Sequence, residues 1–265
     1  MTTDAPVLQP PAVALEDDSL GIDREFAIKM AQMPVLALLW VAAALVSHQL
    51  WAAVAPAGLN AGPLVVLCFG MILAAFIDGW CLKVPNWVTL PLILSGWMLG
   101  ILHNYGVAVD AGTGGFGMAF FGTVFGFLLL FPMLAIGGVG EGDVKMQMGF
   151  GAWVGAFFGD GAVTVAAGMS SELPASRVIL CAFATGAIVG GIFAMAMILM
   201  RRNWGANAKM FKEIGRDLEM FATGKSEQAG KRAQERRKVW EKLPYGIPLC
   251  VGFLMYLAYA LILVG

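Results

Sequence analysis

Seven long apolar runs, separated only by short polar or glycine-rich connections, dominate this chain: residues 35–56, 63–80, 88–103, 116–137, 146–167, 177–200 and 245–265. Each approaches the roughly 20 residues that an α-helix needs to cross the hydrocarbon core of a bilayer. In lipid every backbone N–H and C=O has to be satisfied within the protein, so runs of this length imply helices. The expected fold is all-α, a polytopic membrane protein of about seven transmembrane helices. A water-soluble domain is excluded by composition, since 59% of the residues are hydrophobic and 13% charged, against roughly a quarter charged in a soluble domain. Many of the 34 glycines fall inside the apolar runs, where small residues let helices pack closely.

The net charge of −1 conceals a strong asymmetry. Residues 1–33 hold six acids and two bases, whereas 201–242 hold twelve bases and six acids. Lys and Arg in short loops mark the cytoplasmic side. A cytoplasmic N-terminus and seven spans place 16 of the 17 bases inside, leaving Arg177 outside. Residues 1–33 read as a polar cytoplasmic tail, without the basic stretch followed by an apolar one that makes a signal peptide. Residues 34–200 and 244–265 read as the membrane domain, and 201–243 as a basic cytoplasmic insertion, a helical hairpin, within it. The fifth run is interrupted by Gly159-Asp160-Gly161, which gives it an alternative end near Phe158 with an outer loop beyond. Cys68, Cys81, Cys181 and Cys250 form no C-x-x-C pair, and His48 and His103 are the only histidines. That pattern indicates neither a disulfide framework nor a zinc cluster. No cofactor, metal or nucleic-acid partner is expected, and membrane lipids are.

In a chain so poor in charge, carboxylates at the ends of apolar runs stand out, because ionisable groups are costly in the membrane. Asp78 closes the run that begins at Leu64, and Asp143 follows the glycine-rich stretch Gly137-Gly138-Val139-Gly140-Glu141-Gly142. Both fall on the cytoplasmic side at similar depth, so they can meet. Each also has a plain structural reading. Asp143 stands where an N-cap stands, and Asp78 is an interfacial residue that Lys83 or Lys145 would partner.

Asp78 is followed seven and eight residues later by Pro85-Asn86, and Asp143 lies in Gly140-Glu141-Gly142-Asp143-Val144-Lys145. In these motifs the chain resembles the type IV prepilin peptidase family, membrane aspartic proteases of the GxGD type. Leu243-Pro244-Tyr245-Gly246 is similar to the element ahead of that family's last helix. The resemblance covers about residues 64–265 and implies that Asp78 and Asp143 are the catalytic pair, acting without a cofactor. It implies a prepilin or pseudopilin precursor as substrate, an apolar helix behind a short hydrophilic leader, cut at the cytoplasmic face of the inner (plasma) membrane. The larger family members carry a cytoplasmic domain with two C-x-x-C pairs and also N-methylate the mature pilin. That domain is missing ahead of Asp78, so the chain resembles the compact, tight-adherence or stand-alone members, and methyltransferase activity is not expected.

Two carboxylates sharing one water cannot both be ionised, so such a pair shares a proton and titrates as a unit. The helix dipole favours charge on Asp143, at a helix N-terminus, and the proton on Asp78, near a helix C-terminus. Gly140 and Gly142 would let an extended substrate backbone approach. Glu141 would meet a basic leader or simply face water, and Lys145 would hold Asp78, a substrate carbonyl or a lipid headgroup. Pro85 and Asn86 stop the preceding segment and cap the third helix. Cys81, three residues after Asp78, lacks a histidine on its side of the membrane to act as base. The other readings are a non-enzymatic pilus-assembly scaffold, an ion- or proton-coupled transporter, and a presenilin-like or signal-peptide-peptidase-like protease. The last pairs GxGD with a Tyr-Asp motif, whereas Ile77 precedes Asp78 here. Oligomeric state leaves no signature in the sequence.

Overall fold

A computed structural model describes residues 24–55, 59–81, 84–106, 114–135, 138–166, 169–201 and 245–264, with a few positions between 213 and 223. Most of the basic insertion, residues 1–23 of the tail, Lys83 and Pro244 therefore lie outside the described residues. The architecture is helical: α1 Arg24–Val54, α2 Gly62–Cys81, α3 Asn86–Asn104, α4 Gly115–Ala135, α5 Glu141–Phe158, α6 Ala175–Arg201 and α7 Gly246–Val264. One antiparallel hairpin, β1 Ala162–Ala166 and β2 Met169–Leu173, joins α5 to α6.

Five of these helices, α1 to α4 and α6, contain stretches long and apolar enough to cross a membrane, and α7 is a shorter apolar helix. Their outward faces are apolar: Phe69 and Phe76 on α2, Leu128 on α4, Ile192 on α6 and Ile262 on α7 are all exposed. Such a surface would aggregate in water and suits lipid. The protein is a multi-pass membrane protein.

The exception is α5. Its first two turns carry Glu141, Asp143, Lys145 and Gln147, which lower its hydropathy. It needs no lipid-facing stripe, because fourteen of its 18 residues are buried by the other helices. Glycine makes that burial possible. A Cβ at Gly122 of α4 would collide with the Gly151 carbonyl of α5, and one at Gly155 with the Met118 carbonyl. On its other side, a Cβ at Gly149 would fall 2.9 Å from Leu92 of α3. The Trp153 indole N–H, buried in α5, donates to the Leu92 carbonyl at 2.9 Å and to Ser95 Oγ at 3.0 Å. The Trp97 indole N–H of α3 donates to Thr123 Oγ1 of α4 at 2.9 Å.

The order of these contacts sets the directions. Gly114, Met118, Gly122 and Gly126 meet successively earlier residues of α5, so α4 and α5 are antiparallel. Leu92 and Gly96 of α3 meet Gly149 and Ala152, so α3 and α5 run parallel. α7 starts beside the end of α2 and pairs with α6 in antiparallel fashion through Gly186 and Gly252. The end of α2, the starts of α3, α5 and α7 and the end of α6 therefore gather at one end of the bundle. His48 and His103 lie toward the other.

The boundaries correct the sequence reading in three places. α1 begins at Arg24, eleven residues before the apolar run, and takes in the last part of the stretch read as a tail. α5 occupies 141–158 rather than 146–167: it starts earlier and takes the alternative end near Phe158, capped by Gly159, whose φ of 60° is a conformation that glycine adopts without strain. The hairpin fills the region beyond, where alternating Val163-Thr164-Val165 suits a strand.

Gly122→Ala forces α4 and α5 apart, whereas a Cβ at Gly117 of the same helix meets nothing within 4 Å. We expect Gly122→Ala to lower stability by about 1–3 kcal/mol, and Gly117→Ala to leave it unchanged or slightly raised, in unfolding titrations in mixed micelles.

Candidate active site

Asp78 lies one turn before the end of α2 and is 5% exposed. Its Oδ2 accepts the Gly246 N–H at 2.9 Å. Gly246 opens α7, and the first N–H groups of a helix have no partner within it. Asp78 thus caps a helix 168 residues away in sequence, with its carboxylate against the positive end of the α7 dipole. Gly246 has to be glycine here, since a Cβ would stand 2.7 Å from that same oxygen.

Asp143 is the third residue of α5, 6% exposed, and its Oδ2 accepts the Gly140 N–H at 3.2 Å. The N-cap is Gly140 and not Asp143, as the sequence had suggested; from the third helical position Asp143 instead returns one oxygen to the N-cap N–H. The other, Oδ1, is buried without a hydrogen-bond partner and remains free for chemistry. The negative charge of Asp78 is felt at Asp143, so the two carboxylates lie near one another at this end of the bundle. Both now face a helix N-terminus. This removes the basis for assigning the proton to Asp78 from its own helix end.

The two motifs that carry the aspartates clamp each other. Gly142 packs so closely on Val84 that a Cβ would meet the Val84 Cβ at 2.9 Å. Beside it, Lys145 Nζ donates to Asn86 Oδ1 at 2.9 Å. Lys145 thus joins α5 to α3 rather than holding Asp78, as one sequence expectation had it. Pro85 is the N-cap of α3, with φ −76° and ψ 146°, and makes no side-chain cap bond. Asn86 follows it as the first helical residue and serves the bond to Lys145 instead of capping. Gly140 and Glu141 are exposed at the mouth of the site.

Tyr245 was legible only as part of a motif, and the structure gives it a place. It is half-buried, and burial together with the negative charge of Asp143 holds its phenol above its ordinary pKa. It therefore stays protonated and able to donate a hydrogen bond beside the pair. Trp80 and Trp87 are exposed at the same end of the bundle, where indoles sit at a membrane–water boundary. Trp97 and Trp153 pack inside through the bonds described above, and Trp240 lies outside the described residues. Cys81 is exposed, and all four cysteines are free. Among the described residues no three His, Cys, Asp or Glu side chains gather as a metal ligand set.

Residues 65–195 match the type IV leader peptidase family. Over that stretch, the chain belongs to this family. The match runs from α2 into α6, takes in both aspartates and the Val84–Asn86 and Gly140–Lys145 segments, and makes the protein a peptidase of the leader-processing type. No curated protein and no solved structure matches the chain.

Gly246→Ala should lower thermal stability in detergent by about 1–3 kcal/mol, because the new Cβ and the Asp78 carboxylate compete for one volume. Lys145→Met should cost less than about 1 kcal/mol, since its hydrogen bond to Asn86 is exposed to water.

Proposed function

We propose that the protein is an aspartic endopeptidase of the cytoplasmic membrane face, with Asp78 and Asp143 as its catalytic pair. Its substrates are pilin-like precursors, type IV prepilins or pseudopilins, from which it removes a short hydrophilic leader. The observation that supports this reading is that two buried carboxylates from different helices lie at one end of the bundle and feel each other's charge, each with one oxygen held by a backbone N–H and Asp143 with an unpartnered second oxygen.

Chemistry follows from the pair. With one proton between them, the ionised carboxylate takes a proton from water while the protonated one donates to the scissile carbonyl oxygen. Hydroxide adds to the carbonyl carbon to give a tetrahedral intermediate. Collapse of that intermediate breaks the C–N bond: the leaving amine takes the proton that the base had accepted, and the other carboxylate takes one back from an intermediate hydroxyl, which leaves a carboxyl terminus and one proton on the pair. The Tyr245 hydroxyl stands ready as a hydrogen-bond donor to the intermediate's oxygen.

Location suits the substrate. The 16-of-17 distribution of basic residues supports a cytoplasmic position for the end of the bundle that holds the pair. A bond at the junction of a polar leader and an apolar helix lies at that depth. The precursor's helix stays in lipid while Gly140 and Glu141, exposed at the mouth, receive the leader. Gly142, Lys145, Pro85 and Asn86 shape the entrance by locking α3 to α5. In a bacterial host the membrane is the inner one. Two C-x-x-C pairs are absent from the sequence, which supports a peptidase without N-methyltransferase activity.

Coexpression with a precursor pilin tests the proposal. Asp78→Asn and Asp143→Asn should each reduce trimming by at least about 100-fold, seen as persistence of the longer precursor on gels, while Cys81→Ser trims at the wild-type rate. Normal trimming by either aspartate variant rejects the pair.

A further inference from the structure

Gln147 has no place in the chemistry described so far, yet its position is unusual. Its side chain is fully buried, and neither Nε2 nor Oε1 has a hydrogen-bond partner. A buried amide left unpartnered costs free energy, because it gives up its bonds to water and gains none in return. Leu or Met would fill the same volume without that cost. Gln147 sits four residues after Asp143, hence one turn along the same face of α5. Long helical side chains lean toward the helix N-terminus, which here means toward Asp143. Space is kept for it by α4, where a Cβ at Gly126 would come within 3.3 Å of Gln147 Cγ and 2.7 Å of its backbone oxygen. Asp143 Oδ1 is the third buried, unpartnered polar atom in that turn.

We propose that Gln147 is a positioning residue for Asp143, its side-chain amide engaging Oδ1 during the catalytic cycle. This inference rests on the aspartic-peptidase reading above. The amide is suited to the task because it offers both a donor and an acceptor. Nε2 donates to Oδ1 when Asp143 is ionised, and Oε1 accepts from it when Asp143 carries the proton. A carboxylate pair that passes a proton back and forth needs a neighbour that serves both states. With Oδ2 held by the Gly140 N–H at 3.2 Å and Oδ1 held by Gln147, the carboxyl plane is fixed without a second charge. Among the described residues, the other charged or titratable groups near Asp143 are Asp78 from α2 and Tyr245 ahead of α7, together with Glu141 and Lys145 of its own helix, the last engaged by Asn86.

Gln147→Met and Gln147→Leu separate this role from a structural one. The full-length protein is purified in detergent and given a synthetic precursor peptide with a leader and an apolar segment. We expect both variants to be as stable as the wild type or more so, with kcat reduced about 10- to 100-fold and KM little changed, as loss of one hydrogen bond to an ionised group implies. In isotope-edited infrared spectra of the substrate-free protein, the Asp143 carboxyl band, assigned by its loss in Asp143→Asn, should shift in both variants. Wild-type kcat with an unmoved band overturns the proposal, as does a fall in stability that matches the fall in activity. A wild-type protein that fails to cut the precursor refutes the peptidase reading instead, and the infrared comparison still decides whether Gln147 touches Asp143.

Discussion

The close approach of α4 and α5 through paired glycines is the contact on which the rest of the bundle depends. Gly122 against Gly151 and Gly155 against Met118 bring two backbones together where no Cβ fits. Without a hydrophobic drive between helices in lipid, such packing and interhelical hydrogen bonds hold a membrane fold together. With α4 so close on one side, α3 locks on the other through Leu92 and the Trp153 indole. Phe150 then stacks on Phe253 of α7, ring centroids 4.1 Å apart. A helix gripped from three directions has a fixed depth. That fixes the height of its first turn, and with it Asp143.

The same economy of contacts seats the two carboxylates. Each gives one oxygen to a backbone N–H at the start of a helix, Asp78 to α7 and Asp143 to α5. Structural capping and catalytic chemistry are therefore not competing explanations for these residues. A carboxylate has two oxygens, and a hydrogen bond that orients one also aims the other. The helix N-termini bear part of the cost of holding acidic groups at the membrane boundary.

Much of this was legible in the sequence because it is local. Hydropathy located the helices with a face toward lipid to within a few residues, apart from the polar start of α1 at Arg24. It started the fifth too late, since a helix encased by its neighbours is free to carry Glu141, Lys145 and Gln147, while the Gly159-Asp160-Gly161 interruption marked its other end. Spacing singled out Asp78 and Asp143, and alternating basic loops put them at one end. What stayed hidden is pairing across the bundle. Nothing in the order of residues shows that the Gly246 N–H reaches Asp78, that Lys145 chooses Asn86, or that the Gln147 amide is buried without a hydrogen-bond partner. Those are outcomes of helix packing, and the strand hairpin at 162–173 was hidden for the simpler reason that it is short.

The central claim is that Asp78 and Asp143 work as one unit on one water. A double-mutant cycle tests it most directly, with residual cleavage of a precursor peptide measured for Asp78→Asn, Asp143→Asn and the double variant in the same detergent. Residues that act as a unit are strongly non-additive, so the double variant should be no slower than the slower single. Losses that multiply would show two independent contributions and contradict the account.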